Sequence, residues 1–269
     1  FMASWAQSGN SDWIEDARTA LESGELGCSS AFPFVQLEMD QPRFFFPKPF
    51  AYKRPAQDEN QQRGQAKRFK KMAWIEWQDF LQLLHGKTPA DSACLVNEYY
   101  SSACTEEERR ILPKLITSAV QSRIVRPRNE QEDTKPFYME RLYFHEKGGL
   151  FCLLQLKDST WFARIEKALR VLSSNGLGTD RAVGNGQFDY VLQPFKMPSF
   201  PESDYAVNLS LFCPESEAKL KPMLNAGAAW DFQLRGGWLG EPNNTLRKLS
   251  VYMFKEGSVL AANTAKQEP

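Results

Sequence analysis

The chain has 269 residues, 42% of them apolar, and its 33 Lys plus Arg are balanced by 33 Asp plus Glu. Length and apolar content suffice for one large or two small packed domains and exclude global disorder. The zero net charge excludes a strongly basic whole-chain field, so any polyanion has to be bound by local clusters.

Five cysteines, Cys28, Cys94, Cys104, Cys152 and Cys213, are odd in number and form no C-x-x-C pair. That argues against a disulfide framework or a zinc site and for small buried apolar residues in a reducing, cytoplasmic setting. No apolar run approaches the ~18 residues of a membrane span, so no membrane partner is expected.

The opening "FMASWAQSGNSDW" reads as helical with Trp5 on its apolar side. A second helix is predicted from Ser11, a good N-cap, to about Ser23, where Gly24 stops it. Trp13, Ile14, Ala17, Ala20 and Leu21 share one face of that helix. "CSSAFPFVQL" and "RFFFPKPF" follow as extended segments; Pro33, Pro47 and Pro49 predict edges or turns, because proline cannot donate to a ladder. "RFFF" is expected to be an exposed apolar strand that needs a partner. Arg54 to Gly64 is polar and reads as a mobile loop.

"MAWIEWQDFLQLLHG" predicts a short strand leading into a helix closed by Gly86. In "TEEERRILPKLITSAVQSRIV", Thr105 and Glu108 are spaced as a capping box. Pro113 should interrupt or kink that helix unless the helix starts there. Residues 126–136, "RPRNEQEDTKP", read as a projecting hairpin tip. "FYMERLYFHE" and "GLFCLLQL" read as strands around Gly148 and Gly149, and "STWFARIEKALRVLSSN" as an amphipathic helix. The strands "QFDYVLQPF" and "YAVNLSLFC", the short helix "PESEAKLKPMLN", and the strands "WDFQLRGGW" and "LRKLSVYMF" complete the chain. The order β-β-α-β-β-α-β-β is α+β and fits two ferredoxin-like units, residues 1–135 and 136–269.

Between the amphipathic helix and the next predicted strand lies "SSNGLGTDRAVGNGQF". A phosphate-binding P-loop is excluded, since the glycine interval is wrong and Asn185 stands where lysine is required. A dinucleotide-binding turn is excluded too, since Arg181 replaces its third glycine and the helix precedes the loop. What remains is a helix-to-strand loop whose glycines permit positive φ and close backbone approach. Its amides can form an anion-binding nest with Arg181 adding a charged fork; the alternative is a helix C-cap at Gly176 followed by an ordinary turn.

Helix, "GLGTDRAVGNGQF", then strand resembles the glycine-rich loop of the RAMP superfamily of CRISPR RNA-binding proteins. "SSAFPF", "FFFPKPF", "KRFKKMAWIEWQDFL", "RGGW" and "SVYMFKEGSV", in that order over about residues 1–260, narrow the resemblance. They are similar to the group of type III-A effector subunits that hold the crRNA 5′ end. The resemblance implies two RRM-like domains and no catalysis; no cofactor is expected, and two distant histidines give no metal-ligand spacing. It implies binding of the crRNA 5′ handle, a place between the large signalling subunit and the backbone RAMP subunits, and proximity to target RNA. Family members open with a strand ahead of the helix at Phe1 and continue past "AANTAKQEP", so both ends are expected to extend further. A hairpin "thumb" in this family lies beside the guide, and "RIVRPRNEQEDTKPFYM" is the segment placed to supply it.

On this reading the RNA contacts are assigned to Gly176, Gly178, Thr179, Asp180, Arg181, Gly184 and Gly186, with Asp180 bracing Arg181 or the turn. Lys67, Arg68, Lys70 and Lys71 surround Phe69, interleaving charge with a ring that could stack on a base, or else form a solvated flank of the loop. Lys48 between two prolines, the group Arg123, Arg126 and Arg128, and Arg235 presented on a bulge are further candidates. Phe162, Phe188 and Phe254 are expected to pack in the core. The rival is a RAMP endoribonuclease processing precursor crRNA, which needs a general base such as histidine. Only His85 and His145 exist, and structural roles are expected for both. A type III-B counterpart keeps the RNA-binding role and changes the complex.

Overall fold

A computed structural model describes residues 1–37, 41–51, 69–87, 94–125, 135–178, 181–200, 202–238 and 246–262. In chain order the elements are α1 (Met2–Gln7), α2 (Asp12–Glu22), β1 (Leu26–Cys28), β2 (Phe32–Val35), β3 (Arg43–Pro47) and β4 (Trp74–Glu76). Then come α3 (Trp77–Leu84), β5 (Leu95–Val96), β6 (Tyr99–Tyr100), α4 (Glu106–Ile111), β7 (Ile116–Val125) and β8 (Lys135–Phe144). β9 (Gly148–Phe151), β10 (Leu154–Leu156), α5 (Thr160–Asn175), β11 (Tyr205–Val207), α6 (Glu217–Met223), β12 (Phe232–Trp238), β13 (Arg247–Phe254) and β14 (Val259–Ala261) follow. The fold is mixed α+β.

Contacts gather the chain into two interleaved units. The first holds Phe1–Ser30 and Cys152–Glu202; the second holds Ala31–Phe151 and Ser203–Pro269. This partition differs from a sequential one, because β1 pairs antiparallel with the distant β10. A divide at 135/136 would also cut β8, which pairs with β7 from Ile116↔Phe144 to Val125↔Lys135.

In the first unit, α1, α2 and α5 meet on Trp5, Ala17, Ala20, Leu26, Trp161, Ile165 and Ala168. Trp5 is 1% exposed and its indole N–H donates to the carbonyl of Arg164 at 2.8 Å, so the one polar atom of a buried ring is satisfied. The Arg164 guanidinium lies over the rings of Trp13 and Trp161, at 5.1 and 4.8 Å, and pairs with Asp16 at 2.8 Å. Ser11 takes the N-cap position of α2 as expected but makes no side-chain cap bond, and Leu21 faces out.

The second unit contains a six-stranded sheet in the order β5-β6-β4-β3-β2-β9. β3 is buried on both faces. Phe45 packs towards Tyr99, Ile111 and Leu112. Phe46, its neighbour, stacks on Phe80 of α3 and tilts against Trp77. Both are 0% exposed, so the expectation that "RFFF" is an exposed strand is corrected. Pro33 and Pro47 do not mark edges, since β2 and β3 each have neighbours on both sides, whereas Pro49 leads into a turn at Phe50 as expected. β2 meets β3 only through Phe34 and Val35, beyond Pro33, and Pro47 meets β4 after the β2 ladder has ended. Each proline therefore sits where one side demands no N–H donor.

The capping box forms as spaced: the Glu108 N–H donates to Thr105 Oγ1 at 3.2 Å and the Thr105 N–H to Glu108 Oε2 at 2.7 Å. Buried Glu108 also pairs with Arg43, tying α4 to β3. Pro113 ends the helix in a 3-10 turn, Leu112–Lys114, and the following β-branched run becomes β7. Residues 187–200, expected to hold a strand, hold none. "YAVNLSLFC" gives only the short β11 and a bridge from Phe212 to Phe254.

Candidate nucleic-acid interface

The glycine loop leaves the C-terminus of α5. The Gly176 N–H donates to the Leu172 carbonyl at 2.8 Å, and the Gln187 side-chain amide donates to the Ser174 carbonyl at 3.2 Å, so two of the helix's last four carbonyls find partners in the loop. The neck is a closed backbone crossing in which the Leu177 N–H donates to the Gly186 carbonyl at 2.8 Å. Gly176 (φ +78°) and Gly186 (φ +76°) press against the opposite strand of the neck. A Cβ on Gly176 would stand 2.5 Å from the Asn185 carbonyl oxygen, and one on Gly186 would overlap the backbone of Leu177. Gly178 and Gly184 face open space and serve the turn through positive φ. More than a C-cap is therefore built here.

Arg181 begins a 3-10 turn, Arg181–Val183, and is exposed, with its carbonyl accepting from the Gly184 N–H at 3.0 Å. Thr179 and Asp180 lie outside the described residues. Leu177 (56% exposed) and Val183 (69%) flank the arginine. Charge-based reading passed over both; an apolar residue inside a glycine-rich loop, with no periodicity to bury it, was the available signal.

The remaining candidates belong to the second unit. Lys70 and Lys71 are exposed, but the ring of Phe69, just before them, is buried against Tyr100 at 6.3 Å and offers no face to a base. Lys67, Arg68, Arg126 and Arg128 lie outside the described residues, as does the loop Arg54 to Gly64. Arg123 sits on β7 opposite Phe137. Arg235 is exposed, and the register of β12 on β13 shifts between Arg235 and Gly237, the bulge expected there. Phe254 is core, Phe188 is half-buried, and Phe162 is exposed, contrary to expectation.

Lys48 is half-buried, its N–H donating to the Ala73 carbonyl at 2.8 Å, and burial pushes its ammonium below the usual lysine range. The folded state thus holds this proton more weakly than the unfolded chain. Folding stability should rise with pH in the window from the lowered value up to the free-lysine 10.5. Urea unfolding from pH 8 to 10.5 should show this increment in the parent chain and lose it in Lys48→Met; equal slopes would place the ammonium in solvent.

Both histidines are engaged by turns. His85 Nδ1 is 2.7 Å from the Leu81 carbonyl at the end of α3, and His145 Nδ1 accepts from the Lys147 N–H at 3.2 Å. The cysteines depart from expectation, since Cys28, Cys152 and Cys213 are exposed and Cys94 and Cys104 intermediate. The cause at Cys28 and Cys152 is their place at the open end of the short β1–β10 ladder. Among the described residues no three His, Cys, Asp or Glu gather as a metal site, and no helix is long and apolar enough to cross a membrane.

The α+β arrangement is shared with chains of solved CRISPR effector subcomplexes. It superimposes on a chain of a Csm3–Csm4 subcomplex of a type III-A interference complex with TM-score 0.65, at 15% identity, covering 97% of this chain and 84% of that one. A chain of a Csm1–Csm4 cassette in complex with pppApA gives 0.61 at 19% identity, covering 97% and 76%. In sequence, residues 201–266 match the family described as CRISPR Csm4 C-terminal domain. A Thermococcus onnurineus (strain NA1) protein, "CRISPR system Cms protein Csm4", is 23% identical over 243 residues, 88% of this chain and 71% of its own length. The chain is thus similar to Csm4 proteins of type III-A CRISPR effectors, with residues 201–266 matching their C-terminal domain.

Proposed function

We propose that the chain is the non-catalytic crRNA-binding subunit of a cytoplasmic type III-A complex. It holds the 5′ repeat handle and joins the large signalling subunit to the backbone RAMP subunits, in keeping with the Csm1–Csm4 and Csm3–Csm4 assemblies of its structural relatives. Ferredoxin-like organisation of its two halves belongs to the same reading, with the β7–β8 ribbon as the thumb beside guide and target. The carrying observation is the closed glycine neck that presents Arg181 to solvent. Main-chain amides and one planar fork suit a splayed single-stranded backbone better than a base-paired one. Lys48, Lys70, Lys71, Arg123 and Arg235 are proposed to extend the contact. The engagement of His85 and His145 in turns favours binding over cleavage.

Arg181→Glu should weaken binding of a labelled 5′-handle RNA about tenfold and lower its salt slope by about one. Arg18→Glu is the control, since Arg18 is an exposed residue of the same unit paired with Glu15 and Glu22; it should change affinity by less than about twofold. Equal losses at the two positions would remove the loop from the interface. Sequencing of co-purified RNA and incubation with repeat RNA separate the alternatives: one shared intact 5′ tag supports the binder, and new cleavage products support the nuclease.

A further inference from the structure

β7 and β8 pair antiparallel from Ile116↔Phe144 to Val125↔Lys135, and among the described residues neither bonds to a third strand. Two strands alone are only marginally stable in water unless a face of the ribbon is packed. Residues opposite each other in the ladder share a face, and successive residues alternate between faces. The register therefore sorts the ribbon into two faces, and their chemistry differs. One face carries Arg123 opposite Phe137 and Arg141 opposite Ala119. Both arginines are half-buried, and on the same face Gln121 Nε2 donates to the Tyr143 hydroxyl at 3.1 Å. Cations interleaved with rings suit a nucleic-acid strand.

The other face carries Val120, Ile124, Tyr138 and Leu142, all between 61 and 74% exposed. Among the described residues it holds no cation, and Glu140 is its one charge. Its large side chains stand opposite short or polar ones: Leu142 faces Ser118, Tyr138 faces Ser122, and Val120 faces Glu140. Knobs thus alternate with hollows diagonally across the ribbon. Such relief interdigitates with the side chains of a second packed layer.

We propose that this apolar face docks on protein, against an aliphatic surface of the backbone RAMP subunit that sets a cation opposite Glu140. The choice of subunit rests on the proposed function, which joins this chain to the backbone subunits and sets the ribbon beside the RNA. Protein is favoured over RNA on two grounds. Binding a phosphate backbone draws on cations, and this face offers only a carboxylate, which repels it. Base stacking draws on rings, and three of the four large side chains here are aliphatic. With RNA against one face and protein against the other, the ribbon gains the packing that two strands lack alone.

The test titrates the intact chain against the RNA-free backbone RAMP subunit and, separately, against labelled handle RNA extended by guide nucleotides. Val120→Thr combined with Ile124→Thr keeps β-branching, so the strand holds while its apolar face is lost. This double variant should weaken subunit binding about tenfold and leave RNA affinity within about twofold. Glu140→Lys should also weaken subunit binding and leave the salt slope of RNA binding unchanged. Arg123→Thr should do the reverse, lowering RNA affinity about threefold and its salt slope by about one, with subunit binding kept. The proposal is overturned if the parent chain does not bind the subunit, or if the double variant and Glu140→Lys bind it as the parent does. It is equally overturned if Glu140→Lys tightens RNA binding and steepens its salt slope by about one, which would put RNA on the apolar face. A parent chain that binds the subunit with this pattern of variants, but binds no handle RNA, supports the docking face and overturns the proposed RNA role.

Discussion

Replacing Gly186 with alanine is expected to open the glycine loop and remove handle binding while leaving the rest of the chain folded. The new Cβ would overlap the Leu177 carbonyl oxygen and stand 2.8 Å from its nitrogen. Those atoms belong to the backbone that closes the neck, so no rotamer change relieves the overlap. Left-handed φ alone costs an L-residue about 1–2 kcal/mol, and losing the Leu177–Gly186 bond adds about 1 kcal/mol. The neck should therefore open at a cost of about 3 kcal/mol, and handle RNA affinity should fall by tenfold or more, since about 1.4 kcal/mol is already a factor of ten. Gly184→Ala is the matched comparison: its φ is +82° but its Cβ meets nothing within 4 Å. It should bear only the φ penalty and lose clearly less affinity than Gly186→Ala. Titration of labelled handle RNA against both variants, with circular dichroism as the folding control, decides the matter. Wild-type affinity in Gly186→Ala would separate the loop's shape from RNA binding.

The second large effect is expected at Trp5→Ala. Trp5 is 1% exposed, tilts on Trp161 at 6.2 Å, meets Trp13 edge-on at 6.3 Å, and donates to Arg164. Removing such a ring costs about 3–5 kcal/mol, since the surrounding helices collapse only partly into the space. The loss should fall on the first unit. Limited proteolysis should cut within residues 1–30 and 152–202 well before β2, β3 and β4, whose aromatic packing is separate. Loss below about 1 kcal/mol, or cleavage spread evenly along the chain, would contradict this packing.

Local signals carried much of the fold. The Thr105–Glu108 box, the stop at Pro113, the helix from Thr160 and the turn at Gly86 each rest on a few adjacent residues, and each appears where its chemistry demands. Failures came where the decisive partner is remote. Pro33 and Pro47 argue for edges by a local rule, yet sit inside a sheet because neighbouring ladders end beside them. "QFDYVLQPF" has strand composition, but a strand needs a neighbour to bond with, and residues 187–200 have none assigned. The β1–β10 pairing leaves no trace in either segment's own pattern. In the loop, Arg181 and the need for glycine were legible. That Gly176 and Gly186 close a neck while Gly178 and Gly184 only turn depends on crossing geometry that spacing does not encode.

The interleaving of the two units bears on synthesis. Residues 1–30 emerge from the ribosome well before β10 and α5, which complete their core and follow only after residues 31–151. At 5–20 residues per second that interval is on the order of ten seconds. Throughout it Trp5, Ala17 and Ala20 lack the Trp161, Ile165 and Ala168 part of their core, so the nascent N-terminal helices are natural clients for a holdase. Codon changes that slow translation between β2 and β9 should lower soluble yield more than the same changes placed after α5.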